Sequence, residues 1–246
     1  MTARTPAILA IDVGTTSAKA GLVGLDGSIL AIARRSYELS VSHRPGWAEQ
    51  DPLGWWSALV SAARELVGVK GIDVAAIAVD GHGPSMTAVD AEGSPTRAAI
   101  TWLDSRSRPE LDELAAASGL RGWALGVLPA ALWVERSEPA VAQRTRWYMN
   151  TWEYLGLRLT GRAATTVVPD QVLPDASLIE PLGLPPRKLA PRVQAAELLG
   201  GLSDSAAGEL GLTAGTPVVS SQKIRRADTP LSLRQRPRRH NVDPNI

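Results

Sequence analysis

The ten residues Ala10-Ile-Asp-Val-Gly-Thr-Thr-Ser-Ala-Lys19 place a carboxylate at the end of an apolar run, followed by a glycine, three hydroxyl side chains and a lysine. A carboxylate at the mouth of a buried strand can hold magnesium through water, while backbone N–H groups and hydroxyls in a tight turn face phosphate oxygens. Phosphoryl transfer asks a protein for charge neutralisation and positioning. On this reading Asp12 serves metal and phosphate, and Gly14, Thr15, Thr16 and Ser17 form the phosphate turn. The alternative is an ordinary hairpin whose Asp12 caps the turn. The pattern is not a Walker A loop, because no second glycine precedes Lys19 and an extended run follows instead of a helix. Lys19 either contacts phosphate or stands as a solvated edge lysine.

A second group lies downstream, in Asp80-Gly-His-Gly-Pro-Ser85 and Trp102-Leu-Asp-Ser-Arg106. His82, at a strand-to-loop boundary beside Gly81, either bonds a ligand hydroxyl or is simply packed. The Trp102 indole can cover the apolar face of a sugar, with Asp104 and Arg106 binding hydroxyls or fixing the loop. The remaining tryptophans, among them Trp55, Trp123, Trp133 and Trp152, read as packing residues. Other chemistries are poorly served. The histidines 43, 82 and 240 have no metal-ligand spacing, GHGPS is not a GxSxG elbow, and the absence of cysteine removes thiolates, disulfides and zinc-cysteine sites.

The elements that must position these groups are readable in outline. AILAIDV, AKAGLVGL and SILAIAR, separated by GTTS and Asp26-Gly27, predict three consecutive antiparallel strands. Asp51-Pro52 with Trp55, Leu59, Ala62 and Leu66 predicts a helix over about residues 52–67. IDVAAIAVDG predicts a buried strand, and MTAVDAEGSP with RAAITWLD a pair of short strands around a turn. From Pro109 the pattern turns helical, through ELDELAAA, ALWVERSEPAVAQRT and RWYMNTWEYLGLRLTG, with stops at Gly119 and Gly161. Residues 169–191, with six prolines, read as irregular connection; SDSAAGELGL predicts a capped helix and TPVVS a further strand.

Charge divides the chain. Residues 1–222 hold 19 Lys+Arg against 23 Asp+Glu, whereas residues 223–246 hold seven against two, net +5. That Arg/Pro-rich tail, without apolar periodicity, predicts a disordered segment; its lack of aromatic partners and of a scaffold argues against nucleic-acid binding through it. The N-terminal apolar run of about seven residues is too short for a signal peptide or membrane span, so no membrane partner and a cytoplasmic setting are expected.

In order along residues 8 to about 220, the chain resembles the N-terminal half of the FGGY family of carbohydrate kinases. IDVGTTSAKAGLVGLDGSIL resembles the family's first phosphate motif, GWAEQDPLGWW its lead into the first long helix, and AAITWLDSRS its ITWLDxR segment. EYLGLRLTGRAAT is similar to DYLxxxLTGxxxT, and ELGLTAGTPVV to GLxxGTPVV. The resemblance implies an actin-like (ribonuclease H-like) α/β fold, a mixed sheet with three antiparallel N-terminal strands and flanking helices. It also implies ATP and Mg2+ as cofactors and a sugar or polyol as phosphate acceptor. It places Asp12, Gly14, Thr15, Thr16, Ser17 and Lys19 at the nucleotide and Gly81, His82, Trp102, Asp104 and Arg106 at the sugar. The sugar loop departs from the family's GQMHG: His82 replaces Gln, Gly83 replaces Met and Pro84 replaces His. The family's general base, an aspartate in a GGxD-like turn after PVV, has no match, since SSQKIRRADTP brings Asp228 about four residues late. The expectation is a kinase N-terminal domain over residues 1–222, its second domain missing, inactive alone unless another chain or a homo-oligomer completes it; the alternative is a non-catalytic sugar- or nucleotide-binding remnant.

Overall fold

A computed structural model describes residues 4–38, 40–41, 44–167 and 174–220; Asp228 and the basic tail, residues 223–246, lie outside the described residues. Ala7, Leu9, Ile11 and Val13 alternate with Ile8, Ala10 and Asp12, which buries one face of β1 (Thr5–Val13) and leaves the other more open. β2 (Ser17–Gly24) and β3 (Ile29–Ser36) follow as antiparallel neighbours, as their turns predict. After β4 (Ser40–Val41) and β5 (Ala48–Gln50), Asp51 caps α1 (Pro52–Val67), its side chain accepting from Leu53 N at 2.9 Å. Trp55, Leu59, Ala62 and Leu66 recur on one face of α1 and are buried. Burying such side chains stabilises the fold by roughly 1.5–3 kcal/mol each for the large aliphatics. β6 (Ile72–Gly81) then runs parallel to β1, as a strand read from a near-continuous apolar run can.

The pair of short strands around a turn forms as β7 (Thr87–Val89) and β8 (Ala99–Ile100), their arms joined by antiparallel bridges between Met86 and Ile100 and between Val89 and Pro95. β8 pairs with β5, while Asp90, Gly93 and Ser94 close the turn between the two short strands. α2 (Arg108–Ser118) ends at Gly119 with φ 71°, followed by α3 (Leu128–Ser137) and α4 (Pro139–Arg144). The segment read as one helix from Arg146 instead opens with β9 (Trp147–Met149), which pairs with β7. The helix α5 (Thr151–Thr160) starts only at the Asn150-x-x-Glu153 cap, where Glu153 Oε2 accepts from Asn150 N at 2.7 Å.

β10 (Thr165–Val167), α6 (Ala176–Ile179) and β11 (Arg192–Gln194) form the irregular connection, and β12 (Leu198–Gly201) leads to α7 (Asp204–Leu210), capped by Ser203. β13 (Pro217–Ser220) joins the main sheet beside β6. The six-stranded sheet has the order β12-β13-β6-β1-β2-β3 and is mixed, with β1, β6 and β13 parallel. α1, α5 and α7 contribute Leu59, Leu155 and Leu210 to the core over one sheet face, together with Leu9, Ile11 and Leu22. A second core, of Met86, Leu114, Leu132 and Tyr148 among others, gathers α2, α3 and β7. Among the described residues no helix is long and apolar enough to cross a membrane.

Candidate active site

The β1–β2 turn is held from three directions. Gly14 N donates to Ser17 O at 2.9 Å, and Tyr37 N donates to Thr16 O at 3.1 Å. The Tyr37 hydroxyl donates to Gly14 O, and Gln50 Nε2 donates to Thr15 O at 2.7 Å. Gln50, itself buried, is fixed in turn by the Trp55 indole, whose Nε1 donates to Gln50 Oε1 at 3.2 Å. The Trp102 indole reaches across and donates to Thr15 Oγ1 at 3.1 Å, so the Thr15 hydroxyl keeps its own proton to donate. Ser17 is buried, and its hydroxyl accepts from Arg34 Nε at 3.1 Å.

Register explains what stands beside this turn. Asp12 pairs with Asp80 across the parallel β1–β6 ladder and with Lys19 across the antiparallel β1–β2 ladder, and Lys19 pairs with Arg34 on β3. Paired residues point to one face, so Asp80, Asp12, Lys19 and Arg34 form a row across four strands, opposite the face that packs on α1. The Lys19 ammonium lies 4.0 Å from Asp12, and the two side chains are 54% and 36% exposed. Such an exposed pair contributes little to stability, which leaves both charges at the disposal of a ligand. Asp80 also accepts from Gly81 N at 2.8 Å, which ties its carboxylate to the loop. The sequence reading passed over Asp80 and Arg34; strand register is the signal that finds them.

The second group sits at the end of β6. His82 N donates to Val13 O at 2.8 Å, holding the loop against the phosphate turn. Ser85 Oγ accepts from Trp102 N at 3.2 Å and lies 2.8 Å from His82 Nδ1, a hydrogen bond whose direction follows the imidazole tautomer. Nε2 is buried without a protein partner, and the ring meets Trp55 edge-on at 5.0 Å. Burial pulls the imidazole down to a pKa of about 4, against the opposing pull of Asp12, so His82 is neutral near pH 7. Gly81 and Gly83 have no room for a side chain: a Cβ would come within 2.9 Å of Thr151 and 2.5 Å of the Trp152 ring.

Trp102 is 46% exposed beside the turn, whereas the Asp104 and Arg106 side chains are only 1% and 2% exposed. Arg106 Nη2 donates to Asp104 Oδ2 at 2.6 Å and Nη1 to Glu49 Oε1 at 2.7 Å, while its guanidinium stacks 3.4 Å from the Trp47 ring centroid. Asp104 Oδ2 also accepts from Ala48 N at 2.7 Å. Both side chains are bonded within the protein and fix the loop that carries Trp102, one of the two roles the sequence leaves open for them. Trp123 corrects the packing expectation, being 66% exposed.

Two cavities flank this loop, of about 320 Å3 and 340 Å3, with Pro84 and Trp123 lining both. The first also meets the fully buried Glu153, whose carboxyl burial pushes up to a pKa of about 7 although it accepts backbone N–H groups from Asn150 and Thr166. Among the described residues no group of three or more His, Cys, Asp or Glu could hold a metal. A cation here would rest on Asp12 and Asp80 with phosphate and water completing its shell, which is the way magnesium is ordinarily held.

The profile of the FGGY family of carbohydrate kinases, N-terminal domain, matches residues 7–223. The chain is 29% identical to the xylulose kinase of Streptomyces rubiginosus over 258 aligned positions, which cover 87% of this chain and 52% of that enzyme. It is 38% identical over 111 positions to the glycerol kinase of Burkholderia cenocepacia, covering 44% of this chain and 22% of that enzyme. The solved xylulose kinase of Rhodospirillum rubrum superposes with a TM-score of 0.76 at 28% identity, over 88% of this chain and 49% of that one. The chain thus spans about half the length of these xylulose kinases.

Proposed function

Because this chain belongs to the FGGY family of carbohydrate kinases, with its actin-like fold, we propose that it provides one wall of a site for ATP-dependent phosphorylation of a sugar or polyol hydroxyl. The observation that carries this reading is the charged row Asp80, Asp12, Lys19 and Arg34 beside a turn whose carbonyls are all occupied by the protein. With its carbonyls taken, the turn offers the incoming phosphates the hydroxyls of Thr15 and Thr16 and its N–H groups. Asp12 and Asp80 would hold magnesium, which supplies charge neutralisation on the phosphate oxygens. Lys19 and Arg34 add fixed positive charge on the same face, and preset dipoles and charges of this kind need no reorganisation during transfer.

Trp102 covers the apolar face of the acceptor and, through Thr15, links acceptor to phosphate turn. Asp104 and Arg106 act behind it as positioning residues. His82 Nε2, without a protein partner, meets an acceptor hydroxyl or a bridging water, either of which can donate or accept. The base stays unassigned, because the region after β13 where the resemblance puts it lies outside the described residues and carries no glycine-rich turn.

The test is calorimetric titration of the 246-residue chain with MgADP and with ADP plus EDTA. Binding that needs magnesium and drops at least tenfold in Asp12→Asn supports the reading; magnesium-independent binding, or none, overturns it. The isolated chain should bind without turnover. ATP-dependent phosphorylation of any sugar by the purified chain would refute that second statement while leaving the first intact.

A further inference from the structure

α1, α5 and α7 cover one face of the six-stranded sheet. The other face carries the charged row Asp80, Asp12, Lys19 and Arg34 and, behind it along the strands, two apolar rows in the same register. The first is Ala78, Ala10, Gly21 and Ile32; the second is Ala76, Ile8, Val23 and Ile29. None of these side chains belongs to either buried core, and Ile29 and Ile32 are 67% and 63% exposed. Large apolar side chains grouped in the open mark an interaction surface. Gly21 adds to this. A Cβ there would meet only ordinary contact, its nearest neighbour being Ala31 O at 3.7 Å, so nothing among the described residues requires a glycine in mid-strand. Such a glycine marks a place where another backbone comes close.

All three rows change character at the line between β1 and β2. Charge changes sign there, with acids on β6 and β1 and bases on β2 and β3, and bulk changes with it, from alanines on β6 to isoleucines on β3. A two-fold axis parallel to the strands along that line makes the face complementary to itself, because it lays β6 of one copy on β3 of the other. Arg34 then faces Asp80 and Lys19 faces Asp12, while Ile32 and Ile29 meet Ala78 and Ala76, and Gly21 meets Ala10. We infer that two copies of this chain associate through this face, sheet on sheet, with the charged row fixing their alignment. The apolar rows supply the attraction, and like charges penalise every other alignment. Aligned sheets cross at about 30°, which displaces the outer charge pair by only about 4 Å, within the reach of an arginine. The dimer does not rest on the kinase reading, but one consequence does: with MgADP bound to the same row, the second copy and MgADP exclude one another by mass action.

Sedimentation of the 246-residue chain should show a monomer–dimer equilibrium with a Kd of about 100 µM or tighter. Only monomer at that concentration, whether the face stays open or the chain covers it itself, overturns the inference. Ile32→Lys, at an exposed edge-strand position, should weaken the dimer at least tenfold and leave the MgADP affinity of dilute monomer unchanged. Asp80→Lys and Arg34→Glu should each weaken it as much when alone, since like charges then face one another, and an equimolar mixture of the two should dimerise within threefold of the unaltered chain. Should Asp80→Lys fail to fold, Asp12→Lys mixed with Lys19→Asp poses the same question at the inner pair. A dimer untouched by Ile32→Lys, or charge variants that do not rescue one another, overturns the inference and leaves the kinase reading standing. Saturating MgADP should raise the dimer Kd at least tenfold. MgADP that binds without this effect overturns the shared face; absence of MgADP binding, with the rescue intact, overturns the kinase reading and leaves the dimer.

Discussion

The phosphate turn and the sugar loop are neighbours, joined by the His82 N to Val13 O bond, yet they are held by different forces. In the turn, the carbonyls of Gly14, Thr15 and Thr16 each accept from a protein donor. In the loop, His82 Nε2 is buried without a protein partner, and so are Thr151 Oγ1 and Trp152 Nε1 on the helix end that presses against Gly81 and Gly83. The turn's carbonyls are saturated by hydrogen bonds, whereas the loop combines the bonds of His82 N and Ser85 Oγ with close contacts that leave buried polar atoms without a protein partner. A phosphate group is common to every reaction of a kinase family, so a fully bonded cradle suits it; an acceptor varies, and a surface set by packing can be recut by substitution without unpaired carbonyls being left behind.

The strongest way to break this contrast is Gln50→Ala. It removes the donor to Thr15 O and the acceptor of Trp55 Nε1, and opens a void where a side chain is 1% exposed. Two orphaned buried groups and the void together should cost about 3 kcal/mol of unfolding free energy in urea titration. MgADP affinity should fall as well, because Thr15 O is no longer anchored. A loss under about 1 kcal/mol would mean that the turn does not depend on its bonds.

The matching substitution in the loop is Gly83→Ala, whose Cβ would stand 2.5 Å from the Trp152 ring. Overpacking of this kind should cost about 2 kcal/mol, and Trp152→Leu in the same chain should recover about half of it. Additive losses in the double variant, measured by the same denaturation, would show that Gly83 and Trp152 do not press on one another.

The same difference decides what sequence reading reaches. β1, β2, β3, α1 and the GTTS turn are local patterns, periods of two and 3.6 with a cap at Asp51, and each formed where the pattern placed it. The residues that make the turn a cradle come from 20 to 90 positions away: Tyr37, Gln50 and Trp102 meet it only through tertiary packing. Asp80 and Arg34 needed strand register, which the parallel β1–β6 and antiparallel β2–β3 pairings supply and a single strand does not. The Asn150-x-x-Glu153 spacing was readable as a helix start, but the aromatic residues before it also fit helical spacing and hid β9. Local sequence misleads on the two tryptophans: Trp123, before Ala124 and Leu125, is exposed, whereas Trp152, between Thr151 and Glu153, is buried.

Two buried titratable groups sharpen the contrast with pH. His82 in the loop has its pKa depressed to about 4, so between about 6.5 and 4 the unfolded chain takes up a proton that the folded chain refuses, and stability falls as pH falls. Glu153 behind the loop has its pKa raised to about 7, so between its ordinary value near 4.5 and 7 the folded chain holds a proton that the unfolded chain has lost, and stability falls as pH rises. From pH 5 to 6.5 the two slopes oppose, and the unaltered chain should show little dependence from them. Glu153→Gln should expose the His82 slope, with stability rising toward pH 6.5 by at most about 1.4 kcal/mol per unit. His82→Gln should expose the opposite slope, and identical profiles in the two variants would show that one of the groups is not buried as described.

The smallest effect belongs to Tyr37→Phe, which keeps the ring and removes only the hydroxyl that donates to Gly14 O. Gln50 and the Tyr37 N–H still hold the rest of the turn, so the loss should be about 1 kcal/mol, the net worth of a single hydrogen bond. Burial first and the Asp12 carboxylate second push the phenol's ionisation above its ordinary range, so the donor keeps its proton under alkaline conditions. The difference between variant and unaltered chain, read by thermal denaturation at pH 7 and pH 9.5, should therefore be the same. A difference that disappears at pH 9.5 would mean that the phenol ionises there, that Gly14 O loses its donor, and that the turn is held less fully than the loop beside it requires.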